Sequence, residues 1–184
     1  MRRWLVALVA VAAAVGIGGT AWVGPVAAAG APYCGIRWGS LAKDAGPMSG
    51  AHLTGVRAGR HACYDRLVLD LDGSARGYQV SYVGQVGQDG SGQVVPLRGG
   101  AKLAIIARAP AYDDSGRLTY RPRNRSELVT VTGWRTFRQV AWAGTFEGQT
   151  TIGLGVRARL PFRVFTLAGP GQGSRIVIDV AHRW

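Results

Sequence analysis

The chain has 184 residues, 22 basic against 10 acidic, and a formal net charge of +12 at pH 7; twenty of the basic residues are arginine. A chain of this size is expected to form one domain, and without its first 29 residues it would bury roughly 68% of the surface that its unfolded form exposes, enough core to fold alone. The charge favours anionic partners, but on its own it speaks only for non-specific association.

In chain order, Arg2 and Arg3 precede an apolar run from Trp4 to Ile17, and Ala27-Ala28-Ala29 follows as an A-x-A site. This is the pattern of a secretory signal peptide over 1–29. Cleavage after Ala29 is expected, because cutting after Ala31 would leave Pro32 at the first mature position. A run of about 14 apolar residues falls short of the roughly 20 that span a bilayer, so no stable membrane span is expected after cleavage. No Leu-x-x-Cys lipidation box precedes Cys34. Export also argues against nucleic acid as the partner of the basic surface.

Residues 30–63 are rich in Gly, contain Pro32 and Pro47, and lack any 3.6-residue period, so they are expected to form a loop segment with a turn of helix near Leu41 to Asp44. Cys34 and Cys63 form an even pair in an oxidising compartment, which predicts a disulfide tying this segment to the first strand. The alternative joins them to His52 and His61 as a Cys2His2 zinc site, which needs reduced thiolates and a tetrahedral arrangement that the spacing does not advertise.

From Tyr64 the period becomes two, and strands are expected near 64–72, 77–84, 93–97, 102–108, 127–133, 137–143, 148–157, 161–167 and 174–181. Asp72-Gly73 and Asp89-Gly90 are turn signals. Thr150, Ile152, Leu154 and Val156 share one face with Gly153 and Gly155 opposite, as for a sheet with a core on one side only. Residues 64–184 therefore form an all-β domain, an antiparallel sandwich or barrel. Trp134 and Trp142 are expected in or beside the core, and Trp184 to cap it.

Two strands carry one motif. RLVLDLDG at 66–73 and RIVIDV at 175–180 both run Arg, aliphatic, Val, aliphatic, Asp, aliphatic. Arg175 and Asp179 are about 13 Å apart along a strand, at about 3.3 Å per residue, so they do not pair with each other. As antiparallel neighbours in register, Arg66 would face Asp179 and Asp70 would face Arg175. The alternative gives each Asp hydrogen bonds from a nearby loop backbone.

These residues carry a resemblance. The paired strands are similar to those of the amidase N-terminal domain of bacterial envelope proteins, and CGIRWGSLAK at 34–43, HACYDRLVLDLDG at 61–73 and TTIGLGVRARLPFRVFTL at 150–167 resemble the AMIN-like domain of small secreted actinobacterial proteins. The resemblance implies a two-sheet sandwich and a targeting role at the cell wall, often through binding peptidoglycan. No amidase or secretin module accompanies it here, and residues 84–126 are longer than the compact pattern.

Catalytic signatures are sparse. His52, His61 and His182 are the only histidines, with no His-Glu-x-x-His and no G-x-S-x-G. Ser40-Leu41-Ala42-Lys43 matches S-x-x-K but lacks its partner motifs. Asp113 and Asp114 are adjacent in a turn, while Asp70 and Asp179 alternate with aliphatics, which does not suit a glycosidase pair. No enzyme, metal or cofactor is expected.

The most pointed feature is RLTYRPRNR at 117–125, where Arg117, Arg121, Arg123 and Arg125 surround Tyr120 in an expected exposed loop. Aromatic rings stack on sugar faces and guanidinium groups clamp carboxylate or phosphate. The expectation is a secreted, cell-wall-associated binding module for peptidoglycan or an anionic wall polymer. Alternatives are an accessory domain docking an envelope protein partner through a strand edge, and a wall hydrolase.

Overall fold

The computed structural model describes residues 32–184, so the expected signal peptide lies outside the described residues. A 3-10 turn (Tyr33–Gly35) precedes eleven strands: β1 (Lys43–Ala45), β2 (Leu53–Arg60), β3 (Tyr64–Leu71), β4 (Tyr78–Val83), β5 (Val86–Gly87), β6 (Val94–Val95), β7 (Ala101–Ala107), β8 (Phe137–Phe146), β9 (Gln149–Val156), β10 (Phe162–Ala168) and β11 (Ser174–Ala181). One sheet has the order β1-β4-β7-β9-β8 and the other β10-β11-β3-β2; β5 and β6 form a hairpin of their own. Every pairing is antiparallel.

Period-two patterning explains the core. Leu67, Leu69 and Leu71 of β3 and Ile176, Ile178 and Val180 of β11 meet Leu103 and Ile105 of β7 and Ile152, Leu154 and Val156 of β9 in one buried cluster. Each such side chain contributes about 1.5–3 kcal/mol when fully buried, before the entropy of ordering is subtracted.

The five-stranded sheet has a second buried face, where the sequence pattern predicts one. Residues 86–98 run across it as a strap, and Val86 and Val95 pack on Ala141 and Ala143, with Leu97 and Ala104 alongside. Gly153 and Gly155 make room for it: a Cβ at Gly155 would overlap the Arg98 carbonyl oxygen, and one at Gly153 would come 2.7 Å from Leu97 Cδ1. The glycines opposite the core face of β9 therefore mark a close crossing of backbone.

The expected loop over 30–63 contains two strands instead. Lys43–Ala45 pairs with β4, in place of a helical turn. β2 pairs with β3 along its length, so the sandwich begins ahead of Tyr64. A bulge between Leu53 and Gly55 hides β2 from a period-two search. It shifts the inward face from odd to even positions, so that Leu53, Val56 and Ala58 all reach the core.

Residues 127–133 alternate like a strand but form none. Leu128 N–H donates to the Val140 carbonyl, and the chain then turns, Trp134 N–H donating to Val131. The expected strand at 93–97 contracts to Val94–Val95. Cys34 and Cys63 are joined in a disulfide, with Cα atoms 6.5 Å apart, so the two thiolates are not available to a zinc ion.

Candidate functional site

Two surfaces gather the residues singled out by the sequence. The first is the outer face of the four-stranded sheet, where the register sets Asp179 opposite Arg66 and Arg175 opposite Asp70. The two pairs differ in what their side chains do. Arg66 Nε and Nη2 donate to the two oxygens of Asp179 at 2.6 and 2.9 Å, and Arg163 Nε adds a third bond at 2.8 Å from β10.

Asp179 is fully buried although it points away from the core. Its cover consists of the two guanidinium groups and the rings beside them: Arg163 lies 5.0 Å from the Phe165 centroid, 5.5 Å from Tyr64 and 5.6 Å from Trp38. The hydrogen bonds to Asp179 raise the pKa of Arg66 beyond its ordinary value, so this guanidinium stays charged. At the other pair, Asp70 is taken by Arg57 of β2, whose Nε and Nη2 donate at 2.7 and 2.9 Å. Arg175 turns to the Ala168 carbonyl at 3.0 Å.

The second surface is a cleft of about 460 Å³ beside β8. Trp142 forms part of its lining with Tyr120 close by, ring centroids 5.6 Å apart and planes at 49°. Arg121, Pro122 and Arg125 line it from the loop that follows β7, and Gln88 and Asp89 from the tip of the β5–β6 hairpin. Leu118 and Phe146, each half exposed, complete an apolar rim.

Local geometry explains why these segments converge. Trp142 N–H donates to the Arg125 carbonyl at 2.7 Å, which fixes the arginine loop along the free edge of β8. A bulge between Trp142 and Gly144 interrupts the ladder with β9, and the Ala143 carbonyl there accepts from Asp89 N–H at 2.8 Å. Asp89 Oδ1 accepts from Thr151 Oγ1 at 2.8 Å, while its Oδ2 is buried without a hydrogen-bond partner. Burial raises the pKa of Asp89 above the usual carboxylate range and that of the Tyr120 phenol above its own.

Of the five loop residues proposed from sequence, Tyr120, Arg121 and Arg125 line this cleft and two do not. Arg117 Nε and Nη2 donate to Asp113 Oδ2 at 3.1 and 3.0 Å. Hydrogen bonds from the Arg117 backbone and side chain pull the Asp113 carboxyl below its ordinary pKa. Arg123 is exposed away from the lining. Trp142, Phe146, Leu118 and Asp89 also line the cleft, although no sequence motif singles them out for binding. Phe146 is invisible to periodicity because the bulge reverses the alternation of β8, turning the ring toward the hairpin at Gly90.

The remaining chemical candidates are tied into structure. Lys43 Nζ donates to the Leu41 carbonyl at 2.6 Å and sits 4.5 Å from the Phe162 ring centroid. His52 Nδ1 meets Asp72 at 2.9 Å, and His182 Nε2 meets the buried Asp65 at 3.1 Å. Among the described residues no group of three His, Cys, Asp or Glu side chains is placed to hold a metal ion. Trp134 stacks on Phe137 at 5.8 Å, whereas Trp184 is 70% exposed, its indole N–H donating to the Arg159 carbonyl at 3.2 Å. No helix among the described residues is long and apolar enough to cross a membrane.

No curated protein and no solved structure matches the chain significantly. The family model of the AMIN-like domain, a cell-envelope module related to the amidase N-terminal domain, does match, over residues 51–182. That span runs from the residues leading into β2 to the end of β11 and so takes in both copies of the Arg-to-Asp strand motif, the two that lie side by side in the four-stranded sheet. With well over half its length inside that match, this chain belongs to the AMIN-like domain family.

Proposed function

We propose that the protein is a secreted, non-catalytic binding module of the cell envelope that recognises peptidoglycan or an associated anionic wall polymer through the cleft beside β8. The observation that carries this reading is the joining of Tyr120 and Trp142 with Arg121 and Arg125 in one cleft. Rings of this kind stack against sugar faces, and guanidinium groups provide paired donors for carboxylate or phosphate. The only acid in the lining is Asp89, whose Oδ1 is engaged by Thr151, so two arginines face a single carboxylate in the cleft.

The test is co-sedimentation of the protein with cell-wall sacculi, with and without their anionic polymers, at low and high salt. Salt-resistant pelleting with bare sacculi is expected, with loss in an Arg121→Ala/Arg125→Ala variant, because screening weakens diffuse charge contacts most. Pelleting that needs the anionic polymers and vanishes in salt would leave only a basic surface. The second reading, docking of an envelope protein, is favoured by β2 lying as a terminal strand of its sheet. Absence of pelleting in every condition would transfer the function to that reading.

A further inference from the structure

The arginines of this protein divide into those that a carboxylate neutralises and those that none does. Arg57, Arg66, Arg98, Arg108, Arg117 and Arg163 are each paired with an acid. Among the described residues, unpaired arginines converge at two depressions. One is the cleft beside β8, and the other lies past the opposite end of that strand, where Arg135, Arg157 and Arg183 line a hollow of about 450 Å³ with Tyr33 and His182.

Three features make the second hollow a built site. Arg157 is held from behind: its Nε donates to the Arg135 carbonyl at 3.2 Å and its Nη2 to the His182 carbonyl at 2.5 Å, so this guanidinium is ordered before any ligand arrives. Arg183 lies 4.6 Å from the centroid of the Tyr33 ring, which limits its wandering. Asp65, the acid in contact with His182, is fully buried. It accepts from Thr136 N–H, Phe137 N–H and His182 Nε2, and it does not line the hollow.

We propose that this hollow binds the phosphate group of a phosphate ester. A carboxylate presents two coplanar oxygens, which one forked guanidinium satisfies. Three guanidinium groups around one depression suit a tetrahedral anion, whose oxygens accept from several directions. The site is separate from the cleft, and neither depends on the other.

The experiment follows arginine Nε–H NMR signals of the disulfide-intact protein during titration with inorganic phosphate, and with acetate at matched ionic strength. Phosphate is expected to shift Arg135, Arg157 and Arg183 together, well ahead of the exposed Arg76 and Arg123. An Arg135→Gln/Arg183→Gln variant, altering two exposed side chains, should bind about tenfold more weakly or worse, while Arg121→Gln/Arg125→Gln in the cleft leaves this binding unchanged. Equal shifts at Arg76 and Arg123, an equal response to acetate, or undiminished binding by the first variant would overturn the proposal. A glycerol phosphate oligomer and phosphatidylglycerol vesicles then separate the sources. Binding to the oligomer assigns a soluble polymer, binding to vesicles assigns a lipid headgroup, and a response to free phosphate alone overturns the ester assignment.

Discussion

Asp179 and Asp70 hold equivalent places in a repeated strand motif, yet their surroundings give them unequal weight. Asp179 is fully buried and serves two arginines, so its removal strands Arg66 and Arg163 without a counter-charge in a partly desolvated layer. Asp179→Ala should cost about 3 kcal/mol in urea unfolding. Arg57, the partner of Asp70, is 55% exposed, and Asp70→Ala should cost less than about 1 kcal/mol. Equal losses would mean that the cover over Asp179 does not exclude water in solution. Asp89 offers the opposite sign. Burial raises its pKa above the ordinary 3.8, so its contribution to stability is complete below pH 3.8 and is lost as pH rises through the folded value. Asp89→Asn keeps the acceptor for Thr151 and removes the charge, and should stabilise the protein at pH 7 by about 0.5 kcal/mol, solvent screening at the open cleft having reduced the gain. The advantage should disappear near pH 3; an advantage independent of pH would show that charge is not its source.

At the scale of elements, β9 is the strand on which the rest is assembled, since one of its faces belongs to the main core and the other admits the strap of residues 86–98. Gly155→Ala sets a methyl group against the Arg98 backbone carbonyl, which cannot swing aside, whereas the neighbour of Gly153 is the mobile end of the Leu97 side chain. Gly155→Ala should therefore cost about 2 kcal/mol and speed amide exchange throughout 86–98, with a smaller effect from Gly153→Ala. Exchange that stays slow in the strap would mean that the crossing tolerates a wider gap. The same strand shows what a sequence displays and what it conceals. The alternation of β3, β9 and β11 is legible because each keeps one register over its whole length. β2 and the end of β8 are not, because a bulge at the start of β2 and another in the second half of β8 reverse the alternation, hiding a strand in one case and a cleft residue, Phe146, in the other. The arginine-rich loop was legible as a cluster, but its division into free and engaged members depends on Asp113, which captures Arg117 through a turn that composition does not specify.

Across the whole molecule, the disulfide does more than close a loop. It joins residues 29 apart in sequence, and in the chain-entropy model a bridge of this span contributes about 3–4 kcal/mol. It also holds the segment that carries Trp38 against the four-stranded sheet, where Gly39 accepts from Phe162 N–H and Trp38 covers Arg163 and Tyr64. That cover is part of what keeps water from Asp179. A Cys34→Ser/Cys63→Ser variant should thus lose about 3 kcal/mol, and the loss should not be independent of the ion pair beneath. With the segment released, Asp179 is better hydrated and its arginines less dependent on it, so Asp179→Ala should cost measurably less in the disulfide-free background, by about 1 kcal/mol. The double-mutant cycle, read by urea unfolding of the four proteins, separates two roles of the bridge. Strict additivity would confine the disulfide to its effect on the unfolded chain, whereas coupling would make it a structural support of the arginine–aspartate layer on the sandwich's outer face.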